Sequence, residues 1–262
     1  MFDKNINLGI FWGNFFISYY GLMIVIGLIF ATLVALFQIR KYNLDLDNFI
    51  LLSAISGLFA IIGSKFLFLL VSWKQIQFSK LTNLKYLNLI SNSGFVFYGG
   101  LLGAFLGIFI SKKMFKINIT DYLRYCTPVI PILHGFGRIG CFLAGCCYGK
   151  PFKSAFSITY THSIIAPNNI PLFPTQLLEA LILFFISIFL LIYINKFNQK
   201  YAFQIYIFLY AIARFILEFF RYDNYRGIFW GFSTSQFISV FLLLYLLFLN
   251  LKKFYINHSY KK

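Results

Sequence analysis

Long apolar runs alternate with short polar segments along almost the whole chain. Seven runs, each holding about 20 residues with few charges, are long enough to cross the hydrocarbon core of a bilayer. They cover 16–38, 49–72, 94–112, 122–145, 172–195, 202–220 and 233–251. The alternation of barrel strands is absent, and in lipid only helices or closed barrels satisfy their own backbone hydrogen bonds. The pattern predicts an all-α polytopic membrane protein with about seven transmembrane helices in a single domain, residues 1–262.

The composition agrees with this fold class. Hydrophobic residues make up 60% of the 262 residues and charged residues only 11%, whereas soluble domains contain about 25% charged residues. In a soluble protein, the formal net charge of +16 would suggest a nucleic-acid partner. Here the lysines flank the apolar runs, where they meet anionic headgroups. No basic helix stands apart from the runs, so we expect a membrane-embedded protein that does not bind nucleic acid.

The distribution of lysine and arginine among the loops predicts an orientation. The loops after the first, third and fifth runs, together with the C-terminal tail, carry more of these residues than the other segments. Because positive loops stay in the cytoplasm, the N-terminus is expected outside and the C-terminus inside. The first run reaches Arg40 without a small-residue cleavage site, so we expect it to be retained as a span rather than cleaved as a signal peptide.

Two arginines lie within apolar runs. Arg138 belongs to a glycine-rich segment, 137–149, and Arg214 begins the sequence R-F-I-L-E-F-F-R. An arginine in hydrocarbon costs several kcal/mol unless it is paired or faces a wet cavity. Arg214, Glu218 and Arg221 share one helical face, at spacings of i+4 and i+7. Two arginines and one glutamate would leave positive charge for an anion such as a phosphate; a structural ion pair is the alternative.

Glycines accompany two of the polar motifs. Four glycines in 137–149 predict a break in the helix, where the backbone beside Arg138 could surround a ligand. The alternative is that Arg138 extends to the surface. In F-Y-G-G-L-L-G, Gly99 and Gly100 would admit a neighbouring helix or a ligand. Tyr98 of this motif is either an interfacial aromatic residue or a hydrogen-bonding, proton-handling group.

Two further segments carry weaker signals. P-T-Q-L-L-E, 174–179, adds Gln176 and Glu179 at the start of a run, and Y-Y-G-L-M places Tyr20 near the start of the first run. An ordinary helix start explains each of them equally well.

The four cysteines do not form the framework of a secreted disulfide-rich domain. Four residues separate Cys141 from Cys146 and Cys147, unlike the C-x2-C pairing of zinc sites, and His134 is not at ligand spacing. Packing as small residues is therefore favoured over a metal site or a redox thiol pair. We expect no metal and no catalytic role for these thiols.

Taken together, the motifs resemble those of a known family. F-Y-G-G-L-L-G, G-R-I-G-x-F-x-x-G-x-x-x-G, P-T-Q-L-L-E-A and R-F-I-L-E-F-F-R occur in this order, and Y-G-L-M of the first run fits as well. The chain is similar over roughly residues 15–250 to the prolipoprotein diacylglyceryl transferases. The resemblance implies transfer of a diacylglyceryl group from phosphatidylglycerol to the lipobox cysteine of preprolipoproteins, with release of glycerol phosphate. It also implies a bacterial inner-membrane location and no cofactor.

The resemblance assigns roles to individual residues. Arg138 matches the signature arginine that binds the phospholipid, Arg214 the second essential arginine, and Tyr98 the position of a proposed base. The residues expected to bind substrate are Tyr20, Gly99, Gly100, Arg138, Cys141, Gly149, Gln176, Glu179, Glu218 and Arg221.

The sequence departs from the family pattern at two motifs. Typical members carry histidine in place of Tyr98, and tyrosine, with an ordinary pKa of about 10, is a poor base. They also carry asparagine in place of Cys141 and an N-G-E-like run around Gly145. The alternative function is therefore a divergent paralogue that binds or transports an anionic lipid or a thiol compound without transfer. A channel is disfavoured because no ring of like charges or filter sequence is present.

Overall fold

The computed structural model describes residues 9–12, 15–76, 82–83, 86, 96–197, 199–223 and 227–259. Within these residues the chain forms eight α-helices and three two-stranded antiparallel hairpins. The helices are α1 Tyr19–Lys41, α2 Leu46–Val71, α3 Phe97–Phe115, α4 Ile119–Tyr125, α5 Val129–Ala144, α6 Thr175–Lys196, α7 Ala202–Glu218 and α8 Thr234–Ser259. The strands are β1 Gly9–Trp12, β2 Phe15–Ser18, β3 Ile158–Thr159, β4 Pro171–Leu172, β5 Ile228–Phe229 and β6 Phe232–Ser233.

Each predicted apolar run contains helix, so the all-helical class is confirmed. The first two residues of the third run, 94–95, lie outside the described residues. The prediction of a single helix over 122–145 is wrong, because this run forms two helices, α4 and α5, which are bent by 63° at the break between them. Pro128 lies in this break, and proline disfavours helical geometry in the residue before it.

Four of the described helices are long and apolar enough to cross a membrane, or five if the bent α4–α5 pair counts as one span. These four are α1, α2, α6 and the part of α8 from Thr234 to Lys253. Helix α7 has only 17 residues and includes Arg214 and Glu218, and α3 carries Lys112 and Lys113 in its last turn. The chain is thus a multi-pass membrane protein.

The chain divides into two compact units, one formed by Asn43–Tyr122 and the other by Met1–Tyr42 with Leu123–Lys262. The first unit is built on the packing of α2 against α3. A Cβ built on Gly99 would lie 2.6 Å from Leu67 Cβ, and one on Gly107 would lie 2.8 Å from Ser56 Cα. The glycines of α3 therefore allow close helix–helix packing. The single domain expected over 1–262 stays a prediction.

In the larger unit, α5 packs between α1 and α6, and α7 packs between α6 and α8. The break expected beside Arg138 is wrong, because α5 remains helical through Gly137 and Gly140 and ends at Gly145, whose φ is +71°. A Cβ on Gly140 would lie 2.9 Å from Tyr20 Cδ2. Close packing of α1 on α5 thus outweighs the cost of about 1 kcal/mol for a glycine within a helix.

Candidate active site

Arg138 lies on α5 and turns toward α6. Its Nε is 3.1 Å from Glu179 Oε1 and 3.3 Å from His134 Nε2, one helical turn earlier. The side chain is 14% exposed, so the guanidinium is largely removed from solvent. Arg138 therefore faces the interior of the larger unit, and the alternative of a surface-seeking arginine is wrong.

Glu179 is the carboxylate that joins the two predicted arginines. Its Oε2 is 3.5 Å from Arg214 Nη1, while its Oε1 faces Arg138 and accepts a hydrogen bond of 2.9 Å from the Tyr210 hydroxyl. The residue is only 3% exposed. Since an unpaired buried charge is costly, the two arginines and Glu179 stabilise one another as a unit.

The ion pairs continue along α7, as the i, i+4 spacing predicted. Arg214 Nη2 is 2.7 Å from Glu218 Oε2 and donates to Ser235 Oγ of α8 at 3.1 Å. Glu218 Oε2 is also 3.6 Å from Arg221 Nη1. Residues of three helices, α6, α7 and α8, therefore contact the Arg214 guanidinium.

Arg221 lies just beyond the end of α7 and is held by Asp223. Its Nε and Nη2 donate to the two carboxylate oxygens of Asp223 at 2.9 and 2.7 Å, which is the two-pronged geometry of strong arginine–carboxylate pairs. Burial lowers the pKa of the Arg221 guanidinium, but the hydrogen bonds to Asp223 and the neighbouring negative groups raise it further, so the net pKa lies above the ordinary value. Arg221 is charged at every physiological pH.

These side chains form one buried chain of alternating charge, which we call the ion-pair chain. Its members are Arg138, Glu179, Arg214, Glu218, Arg221 and Asp223. The prediction of surplus positive charge, made from two arginines and one glutamate, is wrong, because three carboxylates formally balance three guanidiniums. Affinity for an anion then has to come from donors that the carboxylates leave available.

Arg138 retains such donors. Its Nε faces Glu179, whereas its Nη1 makes a weak contact of 3.9 Å with Cys147 Sγ. By contrast, both terminal nitrogens of Arg214 already meet carboxylate oxygens. A guanidinium that uses one edge for a carboxylate can present the other edge to a phosphate. Arg138 is thus better placed than Arg214 to bind an added anion.

The turn after α5 is fixed against the start of α6 and the end of α7. The Gln176 amide donates to the Cys146 carbonyl at 2.7 Å, and the Thr175 hydroxyl donates to the Cys147 carbonyl at 2.9 Å. Gly149 forms a β-bridge with Arg221, where a Cβ would lie 3.0 Å from the Phe220 carbonyl oxygen. Gln176 and Gly149 therefore hold the backbone that surrounds the ion-pair chain.

Tyr20 and Cys141 lie close to each other where α1 packs against α5. Tyr20 lies in the first turn of α1 against Gly140, with 43% of its surface exposed. Cys141 follows on α5 and is partly buried. The structure thus places both residues in the larger unit, as it does Arg138, Gly149, Gln176, Glu179, Arg214, Glu218 and Arg221.

The remaining predicted residues lie in the smaller unit. Tyr98 is 37% exposed in the first turn of α3. Gly99 is buried against α2, and Gly100 is half-buried. Of the two alternatives for Gly99, the structure supports the one in which this glycine allows a neighbouring helix to approach closely.

Asp223 of the ion-pair chain, and three polar residues that contact the chain, were not predicted from the sequence. His134 and Tyr210 each lie four residues before a selected arginine, and their rings meet edge to face at 5.0 Å. Asp223 lies two residues after Arg221. The i, i+4 rule could have found the first two, whereas Ser235 gave no local signal because it comes from another helix.

Comparison with known proteins identifies the family. The family model of prolipoprotein diacylglyceryl transferase matches residues 8–251. The chain belongs to this family. The resemblance inferred from the motifs is thereby confirmed.

Relatives in this transferase family align over most of their length. The chain is 40% identical over 230 residues to phosphatidylglycerol–prolipoprotein diacylglyceryl transferase 2 of Clostridium perfringens, covering 86% of each protein. It is 35% identical over 226 residues to phosphatidylglycerol–prolipoprotein diacylglyceryl transferase of Clostridium tetani, covering 86% of the chain and 88% of that enzyme. The Campylobacter jejuni enzyme is 28% identical over 262 residues. The diacylglyceryl transferase family thus accounts for both units of the chain.

Proposed function

We propose that this protein transfers the diacylglyceryl group of phosphatidylglycerol to the lipobox cysteine of preprolipoproteins. The observation that carries the proposal is the ion-pair chain, in which Arg138 and Arg214 meet at Glu179 within a member of the transferase family. Its relatives from two Clostridium species carry this activity in their names. The enzyme is a membrane-embedded transferase whose lipid and protein substrates both come from the membrane.

In the proposed reaction a sulfur–carbon bond replaces a carbon–oxygen bond. The lipobox sulfur attacks the glyceryl carbon that bears the phosphate. The bond between this carbon and the phosphate oxygen breaks, and its electron pair leaves with glycerol phosphate. The thiol proton passes to a base or to the departing phosphate. The attacking sulfur comes from the substrate, so the step requires no enzyme nucleophile and no cofactor.

Arg138 would bind the phosphate in this reaction. A phosphodiester carries one negative charge, and a second develops on the leaving group. Fixed cationic donors in a dry site stabilise that developing charge without reorganisation. Glu179, Glu218 and Asp223 hold the arginines in place, so these carboxylates act as positioning residues.

The other residues of the larger unit would shape the lipid site. Gln176 and Gly149 hold the turn that follows α5, and Tyr20 packs against Gly140 of α5, next to Cys141. In the smaller unit, Gly99 and Gly100 are proposed to contact substrate, and Gly99 also allows the close packing of α2 against α3. The support for Tyr20, Gly99, Gly100, Gly149 and Gln176 is their match to the family motifs, whereas Cys141 stands at the motif position where typical members carry asparagine.

Tyr98→Phe is expected to retain measurable transfer. A hydroxyl hydrogen bond to a charged group contributes about 1.5–3 kcal/mol, equivalent to roughly a 10–150-fold effect on rate. An obligatory base would cost at least as much and would also change the pH profile of kcat/KM. The measurement is transfer in membranes across a pH series, with Tyr245→Phe on α8 as the matched control. A folded Tyr98→Phe protein without turnover would show that this tyrosine transfers the proton.

We further infer seven membrane crossings, with the N-terminus outside the cytoplasm and the C-terminus inside. The seven apolar runs and the bias of positive residues in the loops support this topology. In a bacterial inner membrane, a cytoplasmic reporter fused at the C-terminus should be active and a periplasmic one inactive. The opposite pattern would overturn the orientation.

Complementation tests the proposed function directly. The gene should restore growth and lipoprotein modification to a bacterial strain depleted of its own diacylglyceryl transferase. A folded Arg138→Ala protein serves as the inactive control. If the wild-type protein reaches the membrane but labelled phosphatidylglycerol yields neither modified lipoprotein nor glycerol phosphate, the non-transferring paralogue would be the correct interpretation.

A further inference from the structure

Three cysteine thiols converge beside Arg138. The Sγ atoms of Cys141, Cys146 and Cys147 all lie within 4.8 Å of one another. Cys141 is on the last turns of α5, and the other two lie in the turn that follows. All three residues are partly buried rather than sealed in the core. The sequence spacing did not predict this cluster, because the turn at Gly145 folds Cys146 and Cys147 back toward the helix.

The backbone holds the thiols in this arrangement. Gly145 adopts a φ of +71° and Cys147 a φ of +59°, a conformation that is unfavourable for a residue with a side chain and that persists only where the surroundings impose it. The Cys146 N–H donates to the Cys141 carbonyl at 3.1 Å. Gln176 and Thr175 hold the carbonyls of Cys146 and Cys147 from α6. The three ligand atoms are thus brought together by the fold before any ion binds.

The spacing suits a three-coordinate soft metal ion. A metal–sulfur bond of about 2.3 Å in a planar trigonal site separates the sulfurs by about 4.0 Å. The observed limit of 4.8 Å requires only a small contraction. Thiolates select ions such as Zn²⁺, Cd²⁺ and Cu⁺ over hard cations. The partly buried cluster would therefore accept an ion with little movement of the backbone.

The charge of an occupied cluster would act on Arg138. Binding a divalent ion to three thiols releases three protons and leaves one net negative charge. Arg138 Nη1 already lies 3.9 Å from Cys147 Sγ, on the edge of the guanidinium that Glu179 leaves available. An anionic metal–thiolate group at this distance would compete with a phosphate for the same donors.

We propose that Cys141, Cys146 and Cys147 form a binding site for one thiophilic d¹⁰ metal ion, and that its occupancy inhibits the protein by engaging Arg138. The metal is a regulator in this proposal and takes no part in the transfer. The binding half stands on the cluster alone, whereas the inhibitory half rests on the proposed transferase function.

Cadmium binding to the reduced, purified protein tests the first half. Wild-type protein should bind one Cd²⁺ with the ultraviolet absorption of cadmium–thiolate bonds. Loss of a group that only hydrogen-bonds to a metal ligand already weakens metal sites by about 10–100-fold, so Cys146→Ser and Cys147→Ser should each weaken binding by about 100-fold or more. Cys126→Ala is the matched control, since Cys126 is not in the cluster, and it should bind like the wild type. Absence of this absorption in reduced wild-type protein, or unchanged binding in the serine variants, would overturn the site.

Two further measurements complete the test. If mass spectrometry of protein purified without reductant shows two of the three cysteines as a disulfide, and the reduced form binds no Cd²⁺, the cluster is a redox pair instead.

For the inhibitory half, one equivalent of Cd²⁺ should lower transfer at least about tenfold in the wild type and in Cys126→Ala, with recovery on adding a chelator. The Cys146→Ser and Cys147→Ser proteins should keep their own activity at the same Cd²⁺ concentration. Stoichiometric binding without loss of transfer would overturn the link to Arg138. Absence of transfer in metal-free wild-type protein would instead count against the proposed function, and the spectroscopic result would still decide the site.

Discussion

Arg138→Lys is expected to lower transfer almost as much as Arg138→Ala, by about 100-fold or more. Lysine keeps the positive charge but loses the planar donor fork, which can hold Glu179 on one edge and two phosphate oxygens on the other. Loss of charge-assisted hydrogen bonds of about 1.5–3 kcal/mol each accounts for this magnitude. The measurement is kcat/KM for phosphatidylglycerol in reconstituted membranes.

Measurements of thermal stability distinguish phosphate binding by Arg138 from a purely structural role of this residue. Arg138→Lys retains a cation near Glu179, so its melting temperature in detergent should fall less than that of Arg138→Ala, although both are nearly inactive. Arg40→Lys, an exposed arginine in the last turn of α1, should match the wild type in both measurements. Near-normal transfer by Arg138→Lys would refute two-pronged phosphate binding by this arginine.

Glu179→Gln is expected to destabilise the protein by about 3–5 kcal/mol and to abolish transfer. The amide keeps the shape of the side chain but leaves Arg138 and Arg214 as buried cations without the carboxylate between them, and removal of one member of a buried ion pair costs this much. Thermal unfolding in detergent and the transfer assay measure the two effects. Asp47→Asn removes the same charge from an exposed position in the first turn of α2 and should cost at most about 1 kcal/mol.

A double variant sharpens this prediction. Replacing Arg138 with methionine in the Glu179→Gln protein removes the cation that has lost its carboxylate partner, whereas Arg214 still pairs with Glu218. The two changes should therefore be non-additive, so that the double variant is more stable than Glu179→Gln alone. It should still lack transfer, because the proposed phosphate donor is gone. A Glu179→Gln protein with wild-type stability would show that the ion-pair chain does not depend on this carboxylate.

The sequence was sufficient for the fold class, because hydrophobic periodicity and span length are local properties of the chain. It also identified the family from four ordered motifs, and the pairing of Arg214 with Glu218 from their spacing on one helix. It was less informative about the backbone near Arg138. Glycine propensity predicted a helix break there, but packing of Tyr20 against Gly140 keeps α5 intact to Ala144.

Helix lengths and motifs along the chain are set by neighbouring residues, so the sequence by itself determined that this is a helical membrane protein of the transferase family. Only the tertiary structure decided which helix faces meet. It placed Glu179 between two arginines that are 41 and 35 positions away in the chain, and this balanced the charge that local spacing had left positive. It also folded three thiols to within 4.8 Å of one another. Contacts of this kind depend on the packing of α5, α6 and α7, and the periodicity of a single helix carries no information about its partner.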